Sequence, residues 1–143
     1  MNKKLLCATD GSHSSDKAVE YAVEMANVMG AHLSFLTVTL VTAESASHSH
    51  FWDSATLGAA DAQLQKELQA AAAKAQQAGL EDFACVAIGG HNIAATIIDY
   101  AERNGYSQII TGSVGRTGVA RMLLGSVAHS VISKAHCPVT VVR

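Results

Sequence analysis

The chain is 143 residues long, 49% hydrophobic but only 5% aromatic, with a formal net charge of −2 and no Lys/Arg run. That length suits one domain over residues 1–143, with a core built from Ala, Val, Leu and Ile and little room for a second. The charge balance argues against a basic nucleic-acid face, and the apolar opening from Leu5 to Thr9 is too short for a signal-peptide core or a membrane span.

Lys4 to Thr9 reads as a buried strand that ends in the turn Asp10-Gly11-Ser12. Ala18, Val19, Ala22, Met25, Ala26 and Met29 then recur at three- and four-residue steps, one face of a helix with Ser14 or Ser15 as N-cap and Gly30 as its stop. Ala31 to Thr39 reads as a second strand. From Leu40 to Ser54 periodicity is lost and Ser and His accumulate, the mark of a long loop. Leu57, Leu64, Leu68, Ala71, Ala72 and Ala75 define a long Ala-rich helix closed by Gly79. Phe83 to Ile88 is a third strand, and Asn92 caps a helix with Ala94, Ile97, Ile98 and Ala101 on its inner face. Gln108 to Thr111 is a fourth strand. Val127, Val131, Ile132 and Ala135 face inward on a last helix, Pro138 stops it, and Val139 to Val142 forms a fifth strand.

Strands alternating with helices imply an α/β fold: a parallel sheet with helices on both faces. Cys7, Cys85 and Cys137 are odd in number and widely spaced, without a C-x-x-C; they read as free thiols of a cytoplasmic protein, Cys7 and Cys85 as small hydrophobes within strands.

The most informative segment is Gly112-Ser113-Val114-Gly115, followed by Gly125-Ser126 at the start of the last helix. Glycines allow backbone to approach a ligand closely, and a helix start offers N–H groups and the positive end of the dipole to an anion. The pattern is neither G-x-x-x-x-G-K-[ST] nor G-x-G-x-x-G, so neither common phosphate fingerprint applies. In open parallel sheets ligands bind beyond the strand carboxyl ends where the strand order reverses. With order 3-2-1-4-5 that reversal falls between strand one, followed by Asp10, and strand four, followed by Gly112. Asp10 there either accepts a ribose hydroxyl, helps hold a hydrated Mg²⁺, or serves only the Asp10-Gly11 turn.

Gly112, Gly115, Gly125 and Ser126 fit Gly-x2-Gly-x9-Gly-(Ser/Thr), and with Ala8-Thr9-Asp10-Gly11-Ser12 and Cys137-Pro138-Val139 the chain resembles, over its whole length, the ATP-binding subgroup of the universal stress protein family. The resemblance implies a Rossmann-like fold of the adenine nucleotide alpha hydrolase-like type: an open five-stranded parallel sheet of order 3-2-1-4-5. It implies adenine contacts at Ala8, Thr9 and Val38, a ribose contact at Asp10, and phosphate contacts at Gly112, Ser113, Gly115, Gly125, Ser126 and Val127. Thr111 is expected at the nucleotide with them, and Arg116, which flanks the glycine loop, is placed to reach phosphate oxygens. It further implies ATP as ligand and a homodimer through the last strand at Val139 and Val141; Mg²⁺ is expected with the nucleotide, Asp10 reaching it through Mg-ATP. Two positions depart from the family pattern: Val114 is apolar where relatives are often basic or polar, and Gly90-His91-Asn92 lacks the frequent Pro.

The function expected is a nucleotide-dependent stress-response and regulatory binding module. The alternatives are a slow Mg-dependent ATPase, an AMP or cyclic AMP sensor, and an interaction protein that keeps the fold without a nucleotide. No catalytic residue is assigned, since Ser113, Thr117 and Ser126 have no obvious activating base and no Ser-His-Asp order suggests itself. His48, His50 and Asp53 are read as part of a solvated loop rather than a metal site, Phe51-Trp52 as an anchor of that loop to its own domain in preference to a cover for the nucleotide or a partner contact, and Arg121 as a surface residue. His136 needs no more than its favourable place near a helix end.

Overall fold

The computed structural model describes residues 3–10, 13–40, 54–114 and 124–143. The elements are β1 (Lys4–Ala8), α1 (His13–Met29), β2 (His32–Leu40), α2 (Ser54–Gln77), β3 (Phe83–Gly90), α3 (Ile93–Arg103), β4 (Gln108–Gly112), α4 (Ser126–Lys134) and β5 (Val139–Val142). All strand pairs are parallel and the sheet order is β3-β2-β1-β4-β5. The parallel sheet is the one that the alternation of strand and helix patterns implies, and its order is the one that the family resemblance implies.

Side-chain alternation along the strands divides the core in two. Leu5, Cys7, Leu33, Phe35 and Ile110 face α1 and α2, where Ala18, Val19, Ala22, Ala26, Ala71 and Ala75 complete a buried layer. Leu6, Ala8, Leu36 and Ile109 face α3 and α4, meeting Ala94, Ile97, Ala101 and Val131. Burying one such Leu, Ile or Phe contributes roughly 1.5–3 kcal/mol. The small alanines let helices approach the branched strand residues closely. The three glycines at the ends of α1, α2 and α3 take positive φ: 63° at Gly30, 77° at Gly79 and 72° at Gly105. That left-handed backbone stops each helix and turns the chain into the next strand.

Three expectations are corrected. Ile132 faces outward and is 46% exposed; the inner stripe of α4 is Ala128 and Val131 with Val127 and Ala135 partly buried beside them, and Ile132 lies about 100° round the helix from Val131. Cys85 is exposed rather than buried, since β3 is an edge strand; its thiol reaches only the Leu68 carbonyl of α2, at 3.6 Å. Neither Ser14 nor Ser15 is the N-cap of α1, which begins at His13; Ser15 is the helix's third residue and its hydroxyl turns back toward the end of β1.

Candidate functional site

A cavity of about 180 Å³ opens beyond the carboxyl ends of β1 and β4, the point at which the sheet order reverses. The two ends adjoin because β1 and β4 pair directly, Leu5 with Gln108 through Cys7 with Ile110. Its apolar wall comes from Ala8 of β1, Leu36 and Val38 of β2, and Ile93 and Ile97 of α3. The polar side is made by Thr9, Asp10, Ser15, Thr111 and Ser113, and by Ser126 at the start of α4. A cavity of about 150 Å³ suffices for a benzene ring, so the apolar side has room for a flat heteroaromatic group.

Local bonding fixes the first polar turn. The Thr9 amide continues the β-ladder by donating to the Leu36 carbonyl at 2.9 Å, and the Thr9 carbonyl accepts from Thr37 Oγ1 at 3.1 Å. Thr9 and Ser15 share a hydroxyl–hydroxyl hydrogen bond, and the Asp10 amide donates to Ser15 Oγ at 3.1 Å.

The second turn is closed at its base. The Ser113 amide extends the β4–β5 ladder to the Val142 carbonyl at 3.0 Å, and the Gly125 amide donates to the Ser113 carbonyl at 2.6 Å. The chain leaving Ser113 therefore returns to that point to start α4. Gly125 is extended at φ −70° and ψ 162° and brings no side-chain cap to the helix. The first intrahelical bond runs from the His129 amide to the Gly125 carbonyl. The amides of Ser126, Val127 and Ala128 precede it and have no acceptor within the helix. All three residues line the cavity. The helix dipole adds about 0.3–1 kcal/mol for an anion at this position.

Ala8, Thr9, Asp10, Val38, Thr111, Gly112, Ser113, Gly125, Ser126 and Val127 are thus brought to one cavity. Gly115 and Arg116 lie outside the described residues, as do Arg121, His48, His50, Phe51, Trp52 and Asp53. Among the described residues no cluster of three metal-ligating side chains exists, and Asp10 is the charged residue of the lining. Mg²⁺ usually binds through one or two carboxylates together with ligand phosphates and water. A single Asp at this rim is a donor set that fits such an ion when a polyphosphate supplies the remaining oxygens.

Sequence reasoning missed Ser15, Leu36, Ile93, Val114 and Ala128 as lining residues and placed Ile97 only in the core. Ser15 was legible in principle: third in the helix after the β1 turn, it is one turn away from Asp10 along a closely folded chain. Val114, noted for its apolar character, also lines the cavity.

A Ser–His–Asp line, not evident from residue order, does occur at the opposite end of the sheet. His32 Nδ1 donates to the Asp82 carboxylate at 2.7 Å, His32 Nε2 lies 2.9 Å from Ser34 Oγ, and Tyr106 donates its hydroxyl to Ser34 at 2.7 Å. Ser34 is only 1% exposed and its oxygen is already engaged, so no substrate carbonyl reaches it. The arrangement is a satisfied network that runs from the exposed Asp82 to the buried Ser34 and Tyr106, not a nucleophile.

Among the described residues no helix is long and apolar enough to cross a membrane. A profile of the universal stress protein family matches residues 1–143. The chain is 35% identical over 150 residues to universal stress protein YxiE of Bacillus subtilis, with both chains covered in full. The solved structure of MJ0577 from Methanocaldococcus jannaschii superposes with a TM-score of 0.79 at 27% identity, covering 99% of this chain and 96% of that one. A universal stress protein solved in complex with cAMP superposes with a TM-score of 0.74 at 24% identity, covering 99% and 97%. The whole-chain profile match, the full-length relative and the superposition on solved structures agree: the chain belongs to the universal stress protein family.

Proposed function

We propose that the cavity binds an adenine nucleotide, ATP with Mg²⁺, and that the protein acts as a nucleotide-dependent regulatory module in a stress response. The supporting observation is the union, in one cavity, of an apolar slot with a helix start whose leading amides have no partner inside the helix. In this reading Ala8, Val38, Leu36, Ile93 and Ile97 enclose the base, and the Thr9 carbonyl, which already accepts from Thr37, offers its second lone pair to the base edge. Asp10 accepts a ribose hydroxyl and shares the Mg²⁺ of the bound nucleotide. Thr111, Gly112, Ser113, Gly125, Ser126 and Val127 meet the phosphates, with Gly115 and Arg116 completing the loop. Bound Mg²⁺ would neutralise phosphate charge near the Asp10 carboxylate. The cAMP complex of a family member supports an adenine ligand in this fold.

No catalytic residue is assigned in this reading, which describes binding rather than turnover. The module is one domain spanning the chain and a homodimer. The sheet order leaves β5 as an edge with Val139 and Val141 partly exposed, which suits pairing with a second copy. Three unpaired cysteines suit the cytoplasm.

Calorimetry on protein stripped of nucleotide tests the proposal. ATP is expected to bind with Mg²⁺ present, and the absence of heat with ATP, AMP and cAMP alike refutes it. A phosphate-release assay separates binding from slow hydrolysis: turnover that persists through purification and vanishes in Asp10→Ala would favour the enzyme.

A further inference from the structure

We infer that Gly90 and Thr96 are a positioning pair that holds the start of α3 against the end of β3 and so sets the width of the apolar slot, and with it the size of base the slot takes; the inference rests on the nucleotide reading above. Gly30, Gly79 and Gly105 use positive φ, which Gly90 does not. What Gly90 supplies is the absence of a Cβ. A Cβ there would collide with Thr96 Oγ1, and would stand 2.9 Å from Thr96 Cβ and 3.0 Å from Cγ2. Turning the Thr96 side chain does not relieve this, because rotation about the Cα–Cβ bond leaves Cβ where it is. The side chain is also held: its hydroxyl donates to the Asn92 carbonyl at 2.6 Å, a backbone group that any residue at 92 presents.

The contact lies beside the cavity lining and not in it. Ile93 and Ile97 line the cavity, and Thr96 is three residues after the first and next to the second, on the same side of α3. On the sheet side of the slot, Leu36 and Val38 of β2 pair with Val86 and Ile88 of β3, the strand that Gly90 ends. One close backbone approach therefore fixes the distance between the two sides. Bringing a Cβ at residue 90 into ordinary contact with Thr96 Cβ, at about 3.5–4.0 Å, needs the two backbones to part by roughly 0.5–1 Å. Gly90 is held in the ladder opposite Leu40, whereas Ile93 at the start of α3 is only partly buried, so the helix start gives way. A gap of that size forfeits about a quarter to a half of the dispersion attraction on one face of a bound ring.

The test compares ATP with UTP, which carries the same sugar and phosphates on a single-ring base, by calorimetry on the full chain, with UTP measured in competition against ATP. Wild type is expected to prefer ATP by about tenfold. Gly90→Ala should weaken ATP by roughly fivefold to tenfold and UTP by less, so that the preference falls about threefold. In a Thr96→Gly background the crowding atoms are gone, and the same Gly90→Ala change should cost ATP less than about twofold; in a Thr96→Ala background, which keeps Cβ, the cost should lie between. Gly at residue 96 weakens the helix, so affinity that returns while the melting temperature falls further is a pattern that a purely structural role does not produce. Should Gly90→Ala fold only beside a smaller residue 96, the Thr96→Ala and Thr96→Gly backgrounds carry the comparison. ATP affinity that ignores Gly90→Ala, a loss that is the same whatever residue stands at 96, equal weakening of ATP and UTP, or a wild type without preference between them overturns the inference while leaving the nucleotide reading intact. Wild type that binds neither ligand overturns that reading and the inference with it.

Discussion

At the amino ends of β1, β2 and β4 polar side chains are turned on one another, whereas at the carboxyl ends of β1 and β4 they line a cavity. The closed end runs Asp82–His32–Ser34–Tyr106, with the Lys4 ammonium 4.4 Å from the centre of the Tyr106 ring and bonded to the Asn104 carbonyl at 2.6 Å. The open end gathers Thr9, Asp10, Ser15, Thr111, Ser113 and Ser126 around a cavity of about 180 Å³. Among the described residues no buried side-chain polar atom lacks a partner. Chemical type therefore does not separate the two ends; the presence of a cavity with a helix start on its wall does. Hydroxyls, a His and a carboxylate occur at the closed end too, and there they serve cohesion.

The largest expected effect comes from placing charge at the open end. Ser126 is the exposed first residue of α4, and Ser126→Asp puts a carboxylate where the phosphates are proposed to lie. For the free protein the change is favourable by about 0.3–1 kcal/mol, since an acid complements the helix dipole. For the complex it sets like charges together at a cost of several kcal/mol, so ATP affinity should fall by roughly 100-fold or more. Melting temperature and binding should move in opposite directions. Unchanged affinity would place the polyphosphate elsewhere.

Between the two ends the sheet must stay sealed, and Cys7 reports on it. Cys7 is fully buried in β1, and burial pushes its thiol from 9.0 up to about 12. A pKa raised on folding makes the stabilising contribution complete below pH 9 and lost as pH rises toward 12. Above pH 9 the wild type should lose stability relative to Cys7→Ala by about 1.4 kcal/mol per pH unit. Denaturant titrations at pH 8, 9 and 10.5 measure this difference; parallel curves would mean that water reaches the sheet interior.

At the closed end, Ser34→Ala removes the oxygen that both His32 and Tyr106 use. Leaving buried polar groups unpaired costs about 1–3 kcal/mol. The expected result is lower stability with ATP affinity unchanged, the reverse of the pattern at Ser126. A change in affinity would show that the two ends are coupled through β2.

Most of this architecture was legible before the coordinates. Apolar runs of strand length, helical faces of Ala and Val and the stops at Gly30, Gly79 and Gly105 encode local structure, and alternation then dictates a parallel sheet. The meeting of Asp10 with the Gly112 turn follows from the strand order 3-2-1-4-5, which the family resemblance implies and alternation alone does not fix. What was not legible needed a helix rotation or a long-range contact. Spacing alone makes Ser15 a cap and Ile132 a core residue, whereas α1 begins at His13 and α4 is rotated so that Ala128 and Val131 face the sheet and Ile132 faces away. His32, Ser34, Asp82 and Tyr106 span three strands' worth of separation, and no spacing rule joins them.

The smallest effect sharpens the contrast at the open end itself, where two helix starts lie close to the cavity. Asn92 caps α3, its Oδ1 accepting from the Ala95 amide at 2.9 Å, so one of that helix's leading amides is satisfied within the chain. Gly125 gives α4 no such group. Asn92→Ala should cost about 1 kcal/mol of stability and Asn92→Gly only a few tenths, with ATP affinity unaltered in both. Gly125→Asn is the converse exchange: the new side chain can occupy the α4 amides, so stability should hold or rise slightly while ATP binding weakens. If Gly125→Asn binds ATP as well as wild type does, the leading amides of α4 are not what holds the phosphates, and the difference between the two helix starts carries no function.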